Sequence, residues 1–315
     1  MPDPANIETR TDLPPIPVGA ADRPEPASAR VRVELAAATD RGKKRANNED
    51  HYLAVRFGRA VETIATNLAV GQVPDQYVEV GYGMAVADGM GGTAAGEVAS
   101  SLALEIGLNL ALNSPKWTLR MSPEEICENM ERWRQRFRQI DHVLTDTAKS
   151  HPSLAGMGTT LTVACSVGPH LVLYYVGDSR AYLFREGRLY RLTRDHTQAQ
   201  ALADQGRIAP EDVARHRFRH VLTRVVGRGG GAVEADVEYV RLTDSDRLLL
   251  CTDGLTDMVP DDRIAEALRG IETSHEAAHT LIDMALEAGG KDNVTVVMAR
   301  YTIPEQATRD STAEE

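Results

Sequence analysis

The sequence predicts an α+β fold in which two antiparallel β-sheets carry helices on their outer faces. Short apolar segments follow one another between residues 159 and 192, as neighbouring strands do. Two helical patterns are adjacent between residues 93 and 140, and a third comes just before the last apolar strand. Strands grouped with strands and helices in pairs indicate antiparallel sheets with helices packed outside them.

Residues 1–30 are expected to form a disordered, proline-rich arm. Prolines stand at positions 2, 4, 14, 15, 17, 24 and 26, so we expect no helix there and no contribution to a core. Regular structure is expected from Val31, because Val31, Val33 and Leu35 alternate with polar residues in the period of a half-buried strand. Residues 304–315 are expected to be a disordered tail, which leaves 31–303 as the folded part.

The first predicted helix begins near Thr93. It places apolar residues at a four-residue spacing that drifts slowly around one face. These residues are Val98, Leu102, Ile106 and Leu110.

The second predicted helix has a capping box at its start. Ser122 is the expected N-cap, Pro123 takes the first helical position and Glu125 completes the box. Its apolar stripe is interpreted as a packing face, since side chains at this spacing are normally core. The stripe consists of Ile126, Met130, Trp133, Phe137 and Ile140.

The second half of the chain returns to strands. Segments 159–167, 170–177, 180–185 and 188–192 are predicted to form one antiparallel meander, with a hairpin turn at Glu186-Gly187 between the last two. A final helix is predicted from about Ser274 to Ala288, with Thr273 and Glu276 as its capping box. It precedes a strand over residues 293–301.

Five short acidic motifs are the most informative feature of the chain. Most of them stand where a predicted strand ends, so their carboxylates can converge at one edge of a sheet. Their mutual repulsion there would be severe without cations between them. The motifs are Asn48-Glu49-Asp50, Asp88-Gly-Met-Gly-Gly92, Gly177-Asp178-Ser-Arg180, Asp253-Gly254 and Asp292-Asn293.

The motifs predict a site for a hard metal ion. Carboxylates and backbone carbonyls are oxygen donors suited to Mg²⁺ or Mn²⁺, whereas zinc sites usually draw on His or Cys. None of the five motifs contains either residue. A single Asp-Gly is more often an ordinary turn, but five such motifs in this order favour the metal site.

Taken together, the motifs resemble those of the metal-dependent serine/threonine protein phosphatases, and they are similar to the bacterial branch of the protein phosphatase 2C type. The resemblance covers about residues 31 to 301. It implies a four-layer αββα sandwich, a catalytic domain over residues 31–303 and a mobile flap at about 194–235. The motifs that carry it are Arg45-Ala-Asn-Asn-Glu49-Asp50, Asp88-Gly-Met-Gly-Gly92, Gly158-Thr-Thr160, Gly177-Asp178-Ser-Arg180, Asp253-Gly254 and Asp292-Asn293.

The resemblance also implies the main metal ligands. Asp88 would bridge two metal ions, and the Gly89 carbonyl would hold one of them. Asp253 and Asp292 would bind the other ion. A glycine suits position 89 because a carbonyl can point at a metal only where no Cβ intervenes.

Three further carboxylates receive secondary roles from the same resemblance. Glu49 and Asp50 would act mainly through metal-bound waters. Asp178 would help to bind a third, weaker ion together with Asp253. The alternative for Asp178 is a structural cap on the strand turn, through the short-range backbone hydrogen bonds that Asp favours.

The implied function is hydrolysis of phosphoserine and phosphothreonine monoesters in proteins. Two Mn²⁺ or Mg²⁺ ions would activate a bridging water and neutralise charge on the phosphoryl oxygens. A protein nucleophile is then not required, so we expect direct attack by water and no phosphoenzyme intermediate.

Arg45 is the expected phosphate-binding residue. It stands four residues before Glu49, and its guanidinium can pair with two phosphoryl oxygens. The alternative is a solvated basic run with Arg41, Lys43 and Lys44.

The general acid is left open by the sequence. Some relatives carry a histidine after the Asp-Gly pair, whereas this chain has Met90, whose thioether cannot donate a proton. The leaving group would then take its proton from a metal-bound water.

The flap region contains a basic stretch. Residues 207–228 include several arginines that could attract phosphopeptides, although a charge-balanced, solvated surface is an equal alternative. The segment at about 58–82 is longer than expected for a hairpin of this family, and it is either a partner-specific loop or a longer turn.

Composition limits the partners. The chain has 315 residues, and its 35 basic and 46 acidic residues give a net charge of −11, which disfavours nucleic acid and anionic membranes. Three cysteines, Cys127, Cys165 and Cys251, fit no disulfide framework and are expected to be buried thiols in a reducing compartment. No apolar segment is expected to reach the length of a membrane span. These features favour a cytoplasmic protein.

The expected partners are phosphorylated proteins, the products of a serine/threonine kinase. One alternative is a catalytically weak phosphoprotein-binding module that acts as a scaffold or sensor. It would be favoured if Asp88, Asp253 or Asp292 were missing, and all three are present. Another is a phosphatase for phosphoserines of anti-sigma antagonists, but the chain retains the Arg45 motif of the kinase-opposing type.

Overall fold

The structure is a computed structural model that describes residues 27–91, 95–114, 123–228 and 233–304. The strands are β1 (Arg32–Asp40), β2 (Asp50–Glu62), β3 (Gln76–Met90), β4 (Gly158–Thr159), β5 (Leu161–Val167), β6 (His170–Val176), β7 (Arg180–Arg185), β8 (Arg188–Arg191), β9 (Asp236–Arg241), β10 (Arg247–Cys251) and β11 (Val294–Thr302). The helices are α1 (Ala27–Arg30), α2 (Ala95–Leu112), α3 (Pro123–Ser150), α4 (Gln198–Asp204), α5 (Asp253–Thr256), α6 (Asp261–Gly270) and α7 (Ser274–Glu287).

The strands form two antiparallel sheets, as the sequence predicted. One has five strands in the order β1-β11-β10-β7-β8, and the other has six in the order β2-β3-β5-β6-β9. The short strand β4 pairs with the end of β3. Helices α2 and α3 cover the six-stranded sheet, and α5, α6 and α7 cover the five-stranded one. The predicted four-layer αββα sandwich is therefore confirmed.

Three hydrophobic clusters hold these layers together. The middle cluster lies between the two sheets and includes Met84 and Leu173 from one sheet and Leu250 and Val297 from the other. The outer clusters join each sheet to its helices. Tyr301 crosses the middle layer, and its hydroxyl lies 3.2 Å from the Ser166 hydroxyl on the opposite sheet. Apolar burial between the sheets thus fixes how their ends meet.

The predicted single meander is wrong in its connectivity. Strands β5 and β6 pair in the six-stranded sheet, whereas β7 and β8 pair in the five-stranded sheet. The chain crosses from one sheet to the other at Gly177, whose φ of 110° suits glycine. The turn at Glu186 and Gly187 is confirmed, with φ values of 51° and 75°. Local patterns identified the hairpins but could not show to which sheet each belongs.

The predicted stripe on α2 is confirmed in part. Leu102, Ile106 and Leu110 pack, partly buried, against the cluster that joins α2 to its sheet, whereas Val98 is exposed. The most deeply buried positions of the helix are small residues, Ala95, Ala99, Ser100 and Ala103. Small side chains let the helix approach the sheet closely. A prediction from the spacing of large apolar residues gives such positions little weight. The predicted start at Thr93 lies outside the described residues.

Helix α2 also corrects the prediction about membrane spans. By length and composition its 18 residues are apolar enough to cross a membrane. Its alanine face packs in the cluster with β3 and α3, as expected for the core helix of a globular protein.

The stripe on α3 is confirmed where its side chains are described. Phe137 and Ile140 are fully buried, and Met130 and Trp133 pack against the same cluster. The predicted cap at Ser122 lies outside the described residues. The thiols of Cys165 and Cys251 are buried and free, as expected.

The first helical turn lies inside the segment that was expected to be disordered. Residues Ala27–Arg30 form α1, and Ser28 is buried with its hydroxyl 3.4 Å from the Val80 amide. The arm prediction therefore extended too far, because the prolines end at position 26.

The long hairpin β2–β3 accounts for the segment 58–82. Its strands stay paired as far as Glu62 and Gln76, and residues 63–75 connect them. Several apolar side chains near its tip are exposed, among them Val61, Ile64 and Val70. The segment is therefore a long paired hairpin whose connecting loop exposes apolar side chains.

We predict that Thr273→Ala destabilises the protein by about 1 kcal/mol, because the Thr273 hydroxyl caps α7. It accepts a hydrogen bond from the Glu276 amide at 3.2 Å. Thermal denaturation would show a lower midpoint than for the unmodified chain. Thr280→Ala is the matched control, since it removes the same hydroxyl from the interior of the helix, where alanine is favoured. Equal midpoints for the two variants would contradict the capping role.

Candidate metal centre

The acidic motifs meet at one end of the sandwich. Asp88 lies near the end of β3, Asp178 in the crossing between β6 and β7, and Asp253 directly after β10. Glu49 comes just before β2 and Asp292 just before β11. All five carboxylates line one cavity of about 720 Å³, together with Arg45, Gly89 and Met90. The structure therefore brings together every predicted site residue except Asp50.

Glycines make this convergence sterically possible. A Cβ on Gly89 would lie 2.0 Å from the Gly96 carbonyl oxygen at the start of α2. A Cβ on Gly254 would lie 1.8 Å from the Asn293 carbonyl oxygen. Because glycine has no side chain at either position, α2 and the start of β11 can approach the edge of the cavity.

Gly96 is a feature that sequence reasoning missed. A Cβ there would lie 2.7 Å from the Glu49 carboxylate, so the helix start leaves room for that side chain. The backbone of Glu49 is held as well, because its carbonyl accepts hydrogen bonds from the Gly89 amide at 3.1 Å and the Ser100 hydroxyl at 2.5 Å.

Asn293 fixes the loop that carries Arg45 and Glu49. Its side-chain amide donates to the carbonyls of Arg41 and Asn47, both at 2.8 Å, and its oxygen accepts from the Glu49 amide at 2.8 Å. One side chain thus ties residues 41–49 to the start of β11. The Asp292-Asn293 motif therefore supplies both a carboxylate and the support of a neighbouring loop.

Asp50 lies behind the cavity rather than in its wall. It faces Asp88 across the β2–β3 pair and is buried, and its carboxylate accepts a hydrogen bond from the Thr252 hydroxyl at 2.7 Å. Burial raises the pKa of Asp50 to about 7, although the hydrogen bond from Thr252 favours the charged form. Its position suits an electrostatic influence on Asp88.

The carboxylates repel one another strongly. Burial, followed by the charges of Asp50 and Asp253, raises the pKa of Asp88 well above its usual value. Burial and the charge of the neighbouring Asp178 raise the pKa of Asp253 well above its usual value. For Asp178, burial and the charge of Asp195 raise the pKa to about 7. Clustered carboxylates of this kind require positive charge to stay ionised at neutral pH.

The donor set fits hard divalent cations. The cavity offers several carboxylate oxygens and the backbone at Gly89, which is the ligand chemistry of Mg²⁺ and Mn²⁺. Arg45 donates to Asp292 at 2.6 Å, and this hydrogen bond raises the pKa of the arginine. Its single positive charge is smaller than the combined charge of the carboxylates around it.

Asp257 and His220 are site residues that sequence reasoning missed. With Asp253 they form a group whose ligand atoms lie within 4.8 Å of one another. His220 Nε2 lies 3.3 Å from Asp257 Oδ2, and Nδ1 lies 3.9 Å from Asp253 Oδ2. Asp257 follows Asp253 by four residues, a spacing that places both on one helical face, so this signal was present in the sequence. His220 is brought in by tertiary folding.

His196 has a structural role beside the metal-site cavity. Its amide donates to the Gly177 carbonyl at 2.9 Å, and its Nδ1 lies 3.1 Å from the Gly177 amide. The imidazole also stacks on Tyr175, with ring centroids 5.4 Å apart. These contacts hold the start of the flap region against the crossing that carries Asp178.

A family comparison agrees with this geometry. Residues 73–294 match the family model described as protein phosphatase 2C. Among curated relatives, the serine/threonine protein phosphatase PstP of Mycobacterium tuberculosis is 39% identical over 274 residues, which are 86% of this chain and 46% of that protein. The chain thus spans just under half the length of that relative.

Other relatives are matched over more of their length. The serine/threonine phosphatase stp of Listeria monocytogenes is 38% identical over 225 residues, covering 70% of this chain and 85% of that protein. The chain is also similar to the crystal structure of the PstP catalytic domain in complex with two manganese ions. That similarity has a TM-score of 0.66 and 36% identity, and covers 86% of this chain and 99% of the other.

We predict that Asp178→Asn stabilises the metal-free protein at pH 8. A carboxyl whose pKa is raised in the folded state opposes folding only once it ionises, so the cost is absent below about pH 4 and develops as the pH rises through about 7. In chelator, the melting temperature of the unmodified chain should fall over this range. The variant should fall less, with a gain of about 1–3 kcal/mol at pH 8.

The control is Asp283→Asn, which removes an exposed carboxyl from α7. It should follow the unmodified chain at every pH. If Asp178→Asn melts at or below the temperature of the unmodified chain in chelator at pH 8, the carboxylates do not repel as described.

Proposed function

This chain belongs to the protein phosphatase 2C family, and on that basis we propose that it is a metal-dependent serine/threonine protein phosphatase. The main support is the cavity in which Asp88, Asp253 and Asp292 converge beside Arg45. The relatives named above are serine/threonine phosphatases. The reaction is hydrolysis of a phosphoserine or phosphothreonine monoester.

We propose residues 31–303 as the catalytic domain, with the flap at 194–235. The paired strands extend from Arg32 to Thr302, and every predicted site residue lies between these limits. The family match over residues 73–294 supports the same assignment.

Two Mn²⁺ or Mg²⁺ ions would be held by Asp88, Asp253, Asp292 and the Gly89 carbonyl. The convergence of these groups, and the two manganese ions in the PstP catalytic domain, support this assignment. When bound, such ions supply an activated water and positive charge for the phosphoryl oxygens. We assign a third, weaker site to Asp178 and Asp253, and add Asp257 because it lies beside Asp253.

Arg45 would orient the phosphate. Its guanidinium is half exposed at the cavity and donates to Asp292, so it can exchange part of this pairing for phosphoryl oxygens. Two hydrogen bonds to phosphoryl oxygens would restrict the orientation of the ester in the cavity.

The remaining residues support this arrangement. Glu49 lines the cavity, where its carboxylate can accept a proton from water, and Asp50 acts on Asp88 from behind. Attack of water on phosphorus forms one P–O bond and breaks the ester P–O bond, leaving inorganic phosphate and a serine or threonine alkoxide. Met90 has no proton to donate, so water in the cavity protonates the alkoxide.

The substrates would be cytoplasmic phosphoproteins produced by a serine/threonine kinase, which makes the protein part of a signalling pathway. The net charge of −11 supports protein substrates over nucleic acid. A binding module without activity is not favoured, because the three principal carboxylates are present and lie together.

The first test is release of phosphate from a phosphothreonine peptide, with Mn²⁺ or with chelator. Asp253→Asn should abolish most turnover because it removes a ligand, whereas Asp283→Asn should keep full activity. Calorimetric titration with Mn²⁺ accompanies the assay. Metal binding without turnover would contradict the phosphatase function and would favour the phosphoprotein-binding module instead.

The second test concerns Arg45. Loss of charge-assisted hydrogen bonds in Arg45→Ala should raise KM for the peptide roughly 10- to 100-fold. Lys44→Ala is the matched control, since Lys44 is an exposed cation next to Arg45. If KM for the peptide is the same for both variants, Arg45 does not bind the phosphate.

A further inference from the structure

A second cavity lies between the helix pair α2 and α3 and the side of the six-stranded sheet that ends in β2. Its volume is about 540 Å³, and we call it the helix cavity. Residues of β2, β3 and β5 line it from the sheet, and residues of α2 and α3 line it from the helices. Among the described residues, none that lines the helix cavity also lines the metal-site cavity. The two cavities are therefore separate, and the proposed phosphatase chemistry does not use the helix cavity.

Small residues keep this space open. Where they line the cavity, α2 carries Gly107 and Ala111, and β3 carries Gly83. Glycine disfavours the interior of a helix relative to alanine. A Cβ on Gly107 would nevertheless find room, because its nearest contact would be Ile140 Cδ1 at 3.5 Å. Packing therefore does not require a glycine at position 107, and the effect of this glycine is to enlarge the cavity.

Apolar side chains make up most of the lining. Strand β2 contributes Leu53, Val55 and Phe57, which alternate along the strand and are only partly buried. Protein interiors are close-packed, and an apolar cavity of about 150 Å³ is already large enough to bind a benzene-sized molecule. The helix cavity is several times larger, and its volume lies in the range of small-molecule sites. Its lining and size therefore fit a ligand with an apolar body.

The charged residues of the lining are all basic. Arg56, Arg132 and Arg136 line the cavity, and no aspartate or glutamate does so in the part of the chain that the structure describes. Arg136 is partly buried, and burial lowers its pKa. The nearby Arg138 lies 3.8 Å from Glu131, whereas no ion pair to Arg136 occurs among the described residues. A partly buried cation without a counter-ion favours an anionic group on the ligand.

An aromatic pair holds the Arg136 guanidinium in place. Its central carbon lies 4.6 Å from the centroid of the Trp133 ring, which is a cation–π contact. Trp133 in turn stacks on the fully buried Tyr174, with ring centroids 5.3 Å apart. Within the described residues the N–H groups of Arg136 have no hydrogen-bond partner. The guanidinium therefore has a supported position at the cavity, and its donors are available to a ligand.

We propose that the helix cavity binds a small amphiphilic acid, a molecule with one carboxylate on an aliphatic body. The aliphatic body lies between the two helices and the sheet, and the carboxylate pairs with Arg136. A guanidinium and a carboxylate form charge-assisted hydrogen bonds, which are stronger where water is partly excluded. This inference goes beyond the proposed phosphatase function and does not depend on it, because the two cavities share no described residue.

The first test is calorimetric titration of the full chain with decanoate and with decanol, both kept below the concentration at which they aggregate. Decanoate should bind saturably, with one molecule per chain. Decanol should bind roughly 10-fold more weakly, because it has no charge to pair with Arg136. Absence of saturable decanoate binding would overturn the proposal, as would the binding of several molecules per chain.

The role of Arg136 is tested by Arg136→Gln, which removes the charge and keeps a long side chain. This variant should bind decanoate roughly 10-fold more weakly and should bind decanol as the unmodified chain does. Arg138→Gln is the matched control, since Arg138 is exposed on the same helix and does not line the cavity. Equal affinity of the two variants for decanoate would overturn the pairing of the acid with Arg136.

The place of binding is tested by filling the cavity with Gly107→Leu or Ala111→Leu. Either added side chain should abolish saturable binding of both ligands. The melting temperature without ligand should not fall for Gly107→Leu, because leucine favours a helix over glycine. Ser101→Leu is the control, since Ser101 is exposed on α2 and does not line the cavity. If a filling variant folds and binds decanoate as Ser101→Leu does, the proposed location is overturned. If neither filling variant folds, the comparison of Arg136→Gln with Arg138→Gln decides.

Discussion

The repulsion among the carboxylates at one end of the sandwich is the constraint on which the rest of this structure depends. Burial, together with the charges of neighbouring carboxylates, raises the pKa of Asp88, Asp178 and Asp253 and so favours their neutral forms. A chain without other support would separate these groups. The three apolar clusters hold the sheets and helices in place around them, so burial of hydrophobic surface offsets the electrostatic cost. The strain is relieved when cations occupy the cavity.

Both sheets contribute to the centre, which explains why the sandwich must be intact for the site to exist. Asp88 belongs to the six-stranded sheet, Asp253 and Asp292 flank strands of the five-stranded sheet, and Asp178 lies where the chain passes between them. Glycines at the close approaches and the Asn293 hydrogen bonds fix the distances. A loss of packing between the sheets would therefore move these carboxylates apart.

The flap region lies beside the metal-site cavity and is fixed to the rest of the fold at both ends. His196 binds the flap to the crossing near Asp178, while Thr159 and Asp141 hold its other end. The segment between them contributes residues to the lining of the metal-site cavity.

The sequence by itself determined the fold class, the hairpin at Glu186 and Gly187, the Thr273 cap and the set of acidic residues, because turn chemistry, capping and ligand type are local properties. Only the tertiary structure decided the rest. It divided the predicted meander between two sheets, buried the alanine face of α2, placed Asp50 behind the cavity and brought His220 to Asp257. These features depend on contacts between residues far apart in the chain, and a local pattern carries no information about them.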